Sequence, residues 1–180
     1  MPDNRERTLL LTGASRGIGH AAISPKADGG KRLGIMGTDR AVWQQVFNVN
    51  FFSTALLIRG LIEELAAAKG AVINVTSIAG MRVHPFAGSA YATSKAALAS
   101  LTREMAWEFG PLGVRVNAIA PGEIDTSILS PGTEEIVEKE IPLKRLGKPE
   151  EVAATIYFLC TAPASYVNGA EVHINGGQHV

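Results

Sequence analysis

A tyrosine and a lysine four residues apart are the side chains of this sequence best suited to acid/base chemistry. Tyr91-Ala-Thr-Ser-Lys95 falls in a stretch that is predicted to be helical over 89–109, where residues four apart share one face. A positive charge beside a phenol favours phenolate, so Lys95 is predicted to lower the pKa of Tyr91 from its usual value of about 10. Such a phenol exchanges a proton with an alcohol or carbonyl oxygen near neutral pH. Ser77, fourteen residues upstream, is placed to hydrogen-bond the same oxygen.

A glycine loop follows the first apolar run of the chain. Thr8-Leu-Leu-Leu-Thr12 predicts a short buried strand, and the loop Gly13-Ala-Ser-Arg-Gly17-Ile-Gly19 comes directly after it. Glycines at this spacing permit a tight turn and let backbone N–H groups approach a pyrophosphate at a helix N-terminus. An ordinary strand-to-helix turn has similar features, so the loop is informative only together with other motifs.

Helices and strands alternate along the rest of the chain. This pattern predicts one α/β domain over residues 1–180, built on a parallel sheet with helices on both faces. The predicted elements are a helix from Thr38 or Asp39 to about Lys69 that Gly70 ends, a strand over 71–77, the helix over 89–109, a strand over 114–120, a short helix capped by Thr133, a helix from Pro149 to about Thr161, and a strand over 169–174.

Composition and charge exclude several classes of function. The formal net charge is zero, which gives no electrostatic reason to expect binding to nucleic acid or to an anionic membrane. No segment approaches the roughly 18 apolar residues of a membrane span, and the polar N-terminus is unlike a signal peptide. Cys160, the single cysteine, lies in an apolar run and is interpreted as a buried, inert thiol. We therefore expect a cytoplasmic protein. His20 and His173 have no His or carboxylate partner at ligand spacing, so no metal site is predicted.

Taken in order, the motifs resemble the short-chain dehydrogenase/reductase family, NAD(P)-dependent oxidoreductases built on one Rossmann-type domain. They are the glycine loop, Asn50, Ser77, Tyr91 with Lys95, and Arg115-Val-Asn-Ala-Ile-Ala-Pro121-Gly122-Glu-Ile124-Asp-Thr126. The resemblance covers nearly the whole chain, down to the terminal Gly176-Gly177. It implies a three-layer, doubly wound parallel sheet, a small-molecule alcohol or carbonyl substrate, and NAD or NADP as cofactor.

The resemblance also implies residue roles. Tyr91 would be the acid/base, Lys95 would lower its pKa and hold the nicotinamide ribose, Ser77 would orient the substrate oxygen, and Asn50 would support a water-linked proton relay. The implied cofactor-binding residues are Gly13, Ser15, Arg16, Gly17, Ile18, Gly19, Tyr91, Lys95, Pro121, Gly122, Ile124 and Thr126. Arg16 is either a contact for the 2′-phosphate of NADP or an exposed loop arginine, and the two are left open. For His84 we favour a solvated loop histidine over one that lines the substrate pocket.

One part of the family pattern is missing. Only eighteen residues separate Gly19 from Thr38, and most are loop formers, whereas a single βαβ unit takes roughly 30. The family's first helix and its second to fourth strands are therefore absent, with the junction between Gly19 and Ile23. Without the intervening strand, the first strand can pair only by moving across the gap.

Two interpretations of the missing segment remain. Either the protein is internally shortened, or the natural polypeptide contains residues that this sequence lacks. A true deletion would expose several hundred Å² of apolar surface, a cost on the order of 10 kcal/mol, which is comparable to a domain's whole stability. That magnitude favours the second interpretation, or a chain held together by a partner. A shortened chain could also be a catalytically silent remnant that acts as an oligomerisation or binding module.

The two long helices predict self-association. The stretches 39–69 and 89–109 carry more apolar surface than one side of a sheet can cover. In the family that this chain resembles, such helices pack against their symmetry mates. We therefore expect a homodimer or a homotetramer with two-fold axes.

Overall fold

Four strands in the described residues form one parallel sheet. The computed structural model describes residues 9–12, 33–126 and 132–180, the first of these ranges by its backbone alone. The strands are β1 (Leu9–Thr12), β2 (Ala71–Val75), β3 (Arg115–Pro121) and β4 (Glu171–Ile174). Each strand pairs with the next along the chain, so the sheet order is β1-β2-β3-β4. The predicted Rossmann-like parallel sheet is confirmed.

The first strand pairs directly with β2. Leu9 is the register partner of Ala71, and Thr12 that of Asn74, with parallel pairing throughout. No strand stands between them, as the short spacing after the glycine loop predicts. The edge of β2 that would otherwise be unpaired is therefore covered by β1, which satisfies its backbone hydrogen-bonding groups.

Helices cover both faces of the sheet, because alternate residues of each buried strand face opposite sides. Val72 and its register partner Val116 join one core cluster with Ile58, Leu65 and Phe109 from the helices before and after β2. Ile73, Val75 and Ile119 point to the opposite face, where they pack against Val152 and Leu159 of the last helix. The result is the predicted three-layer α/β/α arrangement.

The long helix predicted to end near Lys69 is segmented. It consists of α1 (Arg40–Phe47), a π-helical turn (Asn48–Phe52), α2 (Ser53–Gly60) and α3 (Ile62–Ala67). Asp39 is its N-cap, since its carboxylate accepts the N–H of Val42 at 2.8 Å. Its end differs from the prediction, because Lys69, with φ of 46°, adopts the left-handed conformation in place of Gly70. Gly70 instead donates its N–H to the carbonyl of Leu65 at 2.8 Å.

The remaining helices begin and end close to their predicted residues. They are α4 (Ser89–Phe109), α5 (Thr133–Glu140) and α6 (Pro149–Cys160). Pro149 occupies the first turn of α6, where its missing N–H costs nothing. Thr133 is the first residue of α5 and follows Gly132, so the predicted cap is shifted by one position. Cys160 is half-buried, and burial raises the pKa of its thiol, consistent with an inert side chain.

Candidate active site

The predicted catalytic side chains meet at the carboxyl edge of the sheet. Ser77 lies two residues beyond the end of β2, and Pro121 is the last residue of β3. Since parallel strands end at the same edge, the two segments lie next to each other there. Helix α4 begins at this edge with Ser89, which places Tyr91 in its first turn.

Ser77 is held against α4 by a close backbone approach. Its Oγ accepts the N–H of Ala79 at 3.2 Å and so caps the short 3₁₀ turn Ile78–Gly80. A Cβ placed on Gly80 would lie 2.9 Å from the backbone nitrogen of Ala96, closer than real Cβ atoms come. Glycine at position 80 therefore lets this turn pack directly onto the helix. The same contact brings Ser77 to Tyr91.

Tyr91 is buried and hydrogen-bonded to Ser77, yet its pKa moves opposite to the prediction. Only 3% of the residue is exposed. Burial raises its pKa to about 12, the hydrogen bond from Ser77 opposes this rise, and the charge of Glu123 adds to it. The predicted lowering of the pKa by Lys95 is therefore wrong for this structure. The physical reason is that loss of hydration disfavours phenolate more than the local hydrogen bond favours it.

Lys95 is buried beside the tyrosine ring and bonded to the sheet. Its Nζ lies 5.7 Å from the centroid of the Tyr91 ring and donates a hydrogen bond to the carbonyl of Val75 at 2.8 Å. Burial lowers the pKa of the ammonium to about 8. The predicted placement of Tyr91 and Lys95 on one face of α4 is confirmed. The ammonium group itself is hydrogen-bonded to the end of β2 and not to the Tyr91 hydroxyl.

Asn50 reaches the same helix from the π-helical turn. Its Nδ2 donates to Ser94 Oγ at 3.0 Å, and Ser94 Oγ donates to the carbonyl of Tyr91 at 2.7 Å. A π-helical turn widens the helix locally and is frequent at functional sites. Asn50 is buried, and these two hydrogen bonds link it to the turn of α4 between Tyr91 and Lys95. Its part in a proton relay stays a prediction.

The segment predicted to lie along the nicotinamide leaves the sheet at the end of β3, next to β2, whose Val75 carbonyl accepts the Lys95 hydrogen bond. The N–H of Gly122 donates to the carbonyl of Ile174 at 3.0 Å, and a Cβ there would lie 2.6 Å from Asn175 Cβ. Ile124 is buried and forms a parallel bridge with Gly147. Thr126 ends this described range. The rest of the predicted cofactor set, namely Gly13, Ser15, Arg16, Gly17, Ile18 and Gly19, lies outside the described residues, as do His20 and the junction before Ile23.

A buried contact between a histidine and a carboxylate, which the sequence did not suggest, lies next to this site. His84 Nε2 lies 2.7 Å from Glu123 Oε1, with the two side chains 8% and 14% exposed. His84 belongs to the loop between Ser77 and Tyr91, so the solvated position that we favoured for it is wrong. The two residues are 39 positions apart in the sequence. The only signal that could have suggested a pairing is that His84 follows Ser77 and Glu123 belongs to the Pro121–Thr126 segment, and both motifs are part of the predicted site.

A further contact in the described residues joins two histidines. His173 stacks on His179 with ring centroids 4.4 Å apart, so it has a histidine neighbour that the sequence did not suggest. Within residues 33–126 and 132–180, no group of three or more His, Cys, Asp or Glu side chains is arranged to hold a metal ion. No helix in those ranges is both long and apolar enough to cross a bilayer.

Comparison with known proteins identifies the family. Residues 17–179 match the protein family described as enoyl-(acyl carrier protein) reductase. Protein FixR of Bradyrhizobium diazoefficiens is 59% identical over 163 residues, which cover 91% of this chain and 59% of FixR. Human dehydrogenase/reductase SDR family member 4 is 34% identical over 186 aligned residues, which cover 97% of this chain and 65% of the human protein. The chain belongs to the short-chain dehydrogenase/reductase family, and it spans less than two thirds of the length of these two relatives.

Solved structures agree with this assignment. An oxidoreductase of the short-chain dehydrogenase/reductase family from Brucella ovis, solved in complex with a partially ordered NAD, is 56% identical with a TM-score of 0.74. The match covers 96% of this chain and 67% of that one. A 3-oxoacyl-[acyl-carrier protein] reductase from Brucella melitensis with bound NAD is 32% identical, with a TM-score of 0.84 over 96% of this chain and 62% of that one.

The described residues fit the nicotinamide end of such a cofactor. In the described part of the chain, the Lys95 ammonium meets one acceptor, the Val75 carbonyl, although it carries three N–H donors. Donors that remain on a buried ammonium suit the hydroxyl groups of a ribose. The residues that would hold this end are Tyr91, Lys95 and the segment 121–126, and a bound nicotinamide would supply or accept a hydride.

Proposed function

We propose that the protein is an oxidoreductase that moves a hydride between NAD(P)(H) and a secondary alcohol or ketone of small size. The observation that carries this proposal is the hydrogen bond between Ser77 and Tyr91, with the Lys95 ammonium 5.7 Å from the tyrosine ring. A serine hydroxyl and a phenol that meet at one point can both contact a single substrate oxygen. The family membership supports the same reaction class.

In this proposal Tyr91 acts as a proton donor during carbonyl reduction. With its pKa near 12, the phenol is protonated at neutral pH and is ready to donate. As the carbonyl carbon gains the hydride, the Tyr91 O–H bond breaks and its proton passes to the substrate oxygen. Ser77 orients that oxygen, Lys95 binds the nicotinamide ribose, and Asn50 supports the proton relay. The cofactor is NAD or NADP, and Arg16 favours NADP only if it meets the 2′-phosphate.

Tyr91→Phe tests the assignment, because it removes one hydroxyl and leaves the ring. Reduction of a panel of ketones should be lost, while binding of NADH or NADPH, followed by nicotinamide fluorescence, should stay close to wild type. Tyr157→Phe is the matched control, since this tyrosine is 65% exposed on α6, away from Ser77. Retention of more than a few per cent of the rate in Tyr91→Phe would refute the role given to Tyr91.

A second candidate function is a catalytically silent module for oligomerisation or binding. It is favoured by the position of β1 at the edge of the described sheet, so that no strand among the described residues lies beyond β1 to support the adenosine end of a cofactor. Binding energy lost at that remote end is also lost to positioning of the nicotinamide. Titration with NADH and NADPH separates the two: saturable binding below millimolar concentration supports the enzyme, and its absence supports the module. A cytoplasmic location is proposed for either function.

A further inference from the structure

One buried serine joins the two helical segments that carry candidate catalytic residues. Ser94 lies on α4, three residues after Tyr91 and directly before Lys95, and it is fully buried. Its Oγ is 3.0 Å from Nδ2 of Asn50, which belongs to the π-helical turn. The same Oγ is 2.7 Å from the carbonyl oxygen of Tyr91. Ser94 is therefore in direct contact with two residues of the candidate site, although the proposed function gives it no role.

The hydroxyl of Ser94 carries one proton, and this decides the direction of both hydrogen bonds. The Tyr91 carbonyl can only accept, so the Ser94 proton is donated to it. In the contact with Asn50, Ser94 Oγ must then be the acceptor and the amide nitrogen the donor. With its carbonyl oxygen toward Ser94, Asn50 would offer a second acceptor to a hydroxyl that has no second proton. The two bonds together therefore fix the orientation of the Asn50 amide.

Burial makes the reversed orientation of this amide costly. Asn50 is 8% exposed and Ser94 is fully buried, so little water reaches their contact to replace a lost partner. A buried polar atom without a partner loses its hydration and gains nothing in exchange, which disfavours the reversed amide by roughly tenfold or more. In the described part of the chain, the Asn50 side chain has no other hydrogen-bond partner. Ser94 is therefore the residue that holds the amide.

The orientation of the amide decides what Asn50 can do in a proton relay. Lys95 follows Ser94 on α4, and its buried ammonium donates to the Val75 carbonyl with one of three N–H groups. A water molecule that accepts a hydrogen bond from the ammonium still has O–H groups to donate, and a carbonyl oxygen can accept one, whereas an NH2 group cannot. With Nδ2 bonded to Ser94, Oδ1 of Asn50 remains for such a water. A reversed amide would offer only N–H donors.

We propose that Ser94 is a positioning residue for the proton relay, which fixes the Asn50 amide so that Oδ1 is the acceptor left for a relay water. Ser94 contacts neither substrate nor cofactor in this role and acts through Asn50. After Tyr91 gives its proton to the substrate oxygen, the relay returns a proton from solvent water to the phenolate. The relay rests on the proposed function, whereas the orientation of the Asn50 amide does not, so the two can fail separately.

Hydrogen exchange of the Asn50 amide tests the orientation without cofactor or substrate. With nitrogen-15 in the asparagine side chains, the NMR signals that Asn50→Ala removes are those of Asn50. The N–H bonded to Ser94 should exchange with deuterium about tenfold more slowly in wild type than in Ser94→Ala, which removes the acceptor. Equal exchange in the two proteins would overturn the proposal.

Thr93→Ala is the matched control for this measurement. Thr93 Oγ1 donates to the carbonyl of Ser89 at 2.8 Å, so it makes the same kind of bond to a carbonyl one turn back in α4. Thr93 is exposed, and in the described residues its side chain bonds only within α4. Its removal should leave exchange of the Asn50 amide unchanged. A change as large as that in Ser94→Ala would show that any lost bond in this turn loosens the amide, and would contradict the role of Ser94.

Turnover gives the second measurement. Ser94→Ala should lower kcat for ketone reduction about tenfold, as the loss of one hydrogen bond would, with KM for NADH or NADPH close to wild type. The solvent deuterium isotope effect on kcat should rise, because return of the proton becomes slower, and a loss of stability alone would not raise it. Ser94→Cys, whose sulfur is a weak acceptor of similar shape, should fall between the two and decides the matter if Ser94→Ala does not fold. An unchanged isotope effect in both variants would contradict the inference.

A double-mutant cycle separates action through Asn50 from action on Tyr91. If Ser94 acts through Asn50, then Asn50→Ala and Asn50→Ala/Ser94→Ala should have the same kcat, because no amide remains to be positioned. Losses that multiply would mean that Ser94 acts on Tyr91 through its carbonyl, and the proposal would be wrong. If wild type reduces no ketone at all, the proposed function fails, and the exchange of the amide protons alone decides whether Ser94 fixes Asn50.

Discussion

The Lys95 ammonium donates its hydrogen bond to the carbonyl of Val75, at 2.8 Å, at the end of the strand that leads to Ser77. The side chain is thus part of the sheet edge as well as of the candidate active site. The two titratable groups of this site are shifted in opposite directions, because burial lowers the pKa of Lys95 and raises that of Tyr91. Both the neutral amine and the neutral phenol are favoured by the same loss of hydration.

Stability should therefore pass through a maximum near pH 10. Folded Lys95 has a pKa of about 8 against 10.5 when unfolded, so between these values the unfolded chain holds more protons and stability rises with pH. Folded Tyr91 has a pKa of about 12 against 10.0 when unfolded, so stability falls between those values. Each contribution is about 3 kcal/mol.

Urea unfolding at a series of pH values measures both limbs. Lys95→Met should remove the rise above pH 8, and Tyr91→Phe should remove the fall above pH 10. Each variant serves as the control for the other. A Lys95→Met curve that still rises like wild type would show that the ammonium is not the group responsible.

Gly80→Ala should destabilise the protein and displace Ser77. The added methyl would meet the backbone of Lys95 and Ala96 at 3.0 and 2.9 Å, and helix backbone cannot move aside cheaply. Overpacking of this kind costs about 1–3 kcal/mol. Gly60→Ala is the matched control, since nothing lies within 4 Å of its Cβ position, and it should leave the free energy of unfolding unchanged or higher. Equal denaturation midpoints for the two variants would contradict the close approach.

Self-association should depend on an exposed apolar stripe on the π-helical turn and α2. Val49, Phe52 and Leu56 follow helical spacing and are 45%, 50% and 65% exposed. Light scattering at micromolar concentration should give a dimer or a tetramer, and Leu56→Glu should reduce the assembly. Met36→Glu, at a position 97% exposed outside the stripe, should not. A wild-type monomer at that concentration would refute the prediction.

The intact mass of the protein expressed from its own gene should exceed 19.0 kDa, the mass of this sequence. An excess of roughly 60 residues would correspond to two βαβ units. A mass of 19.0 kDa would show that the internal shortening is real, and that the direct pairing of β1 with β2 is the arrangement of the working molecule.

Local signals in the sequence determined most of the elements. The strand at Ala71 and the helix from Ser89 to Phe109 were predicted closely, because an unbroken apolar run and a Gly-Pro stop are decided by neighbouring residues. The spacing of Tyr91 and Lys95 fixed their common face in the same way. Motif order sufficed for the family, since it depends on sequence and not on geometry.

Tertiary structure decided the electrostatics of the site and its hidden contacts. Spacing suggested that Lys95 would acidify Tyr91, but the pKa of a phenol depends on everything that excludes water from it, and here burial dominates. The pairing of His84 with Glu123 joins residues far apart in the chain, so no local pattern could reveal it. In the sequence Gly80 looks like an ordinary loop residue, and only the structure shows that the backbone of α4 packs against it. Such contacts exist only once the sheet and helices are assembled, because they are made between elements and not within them.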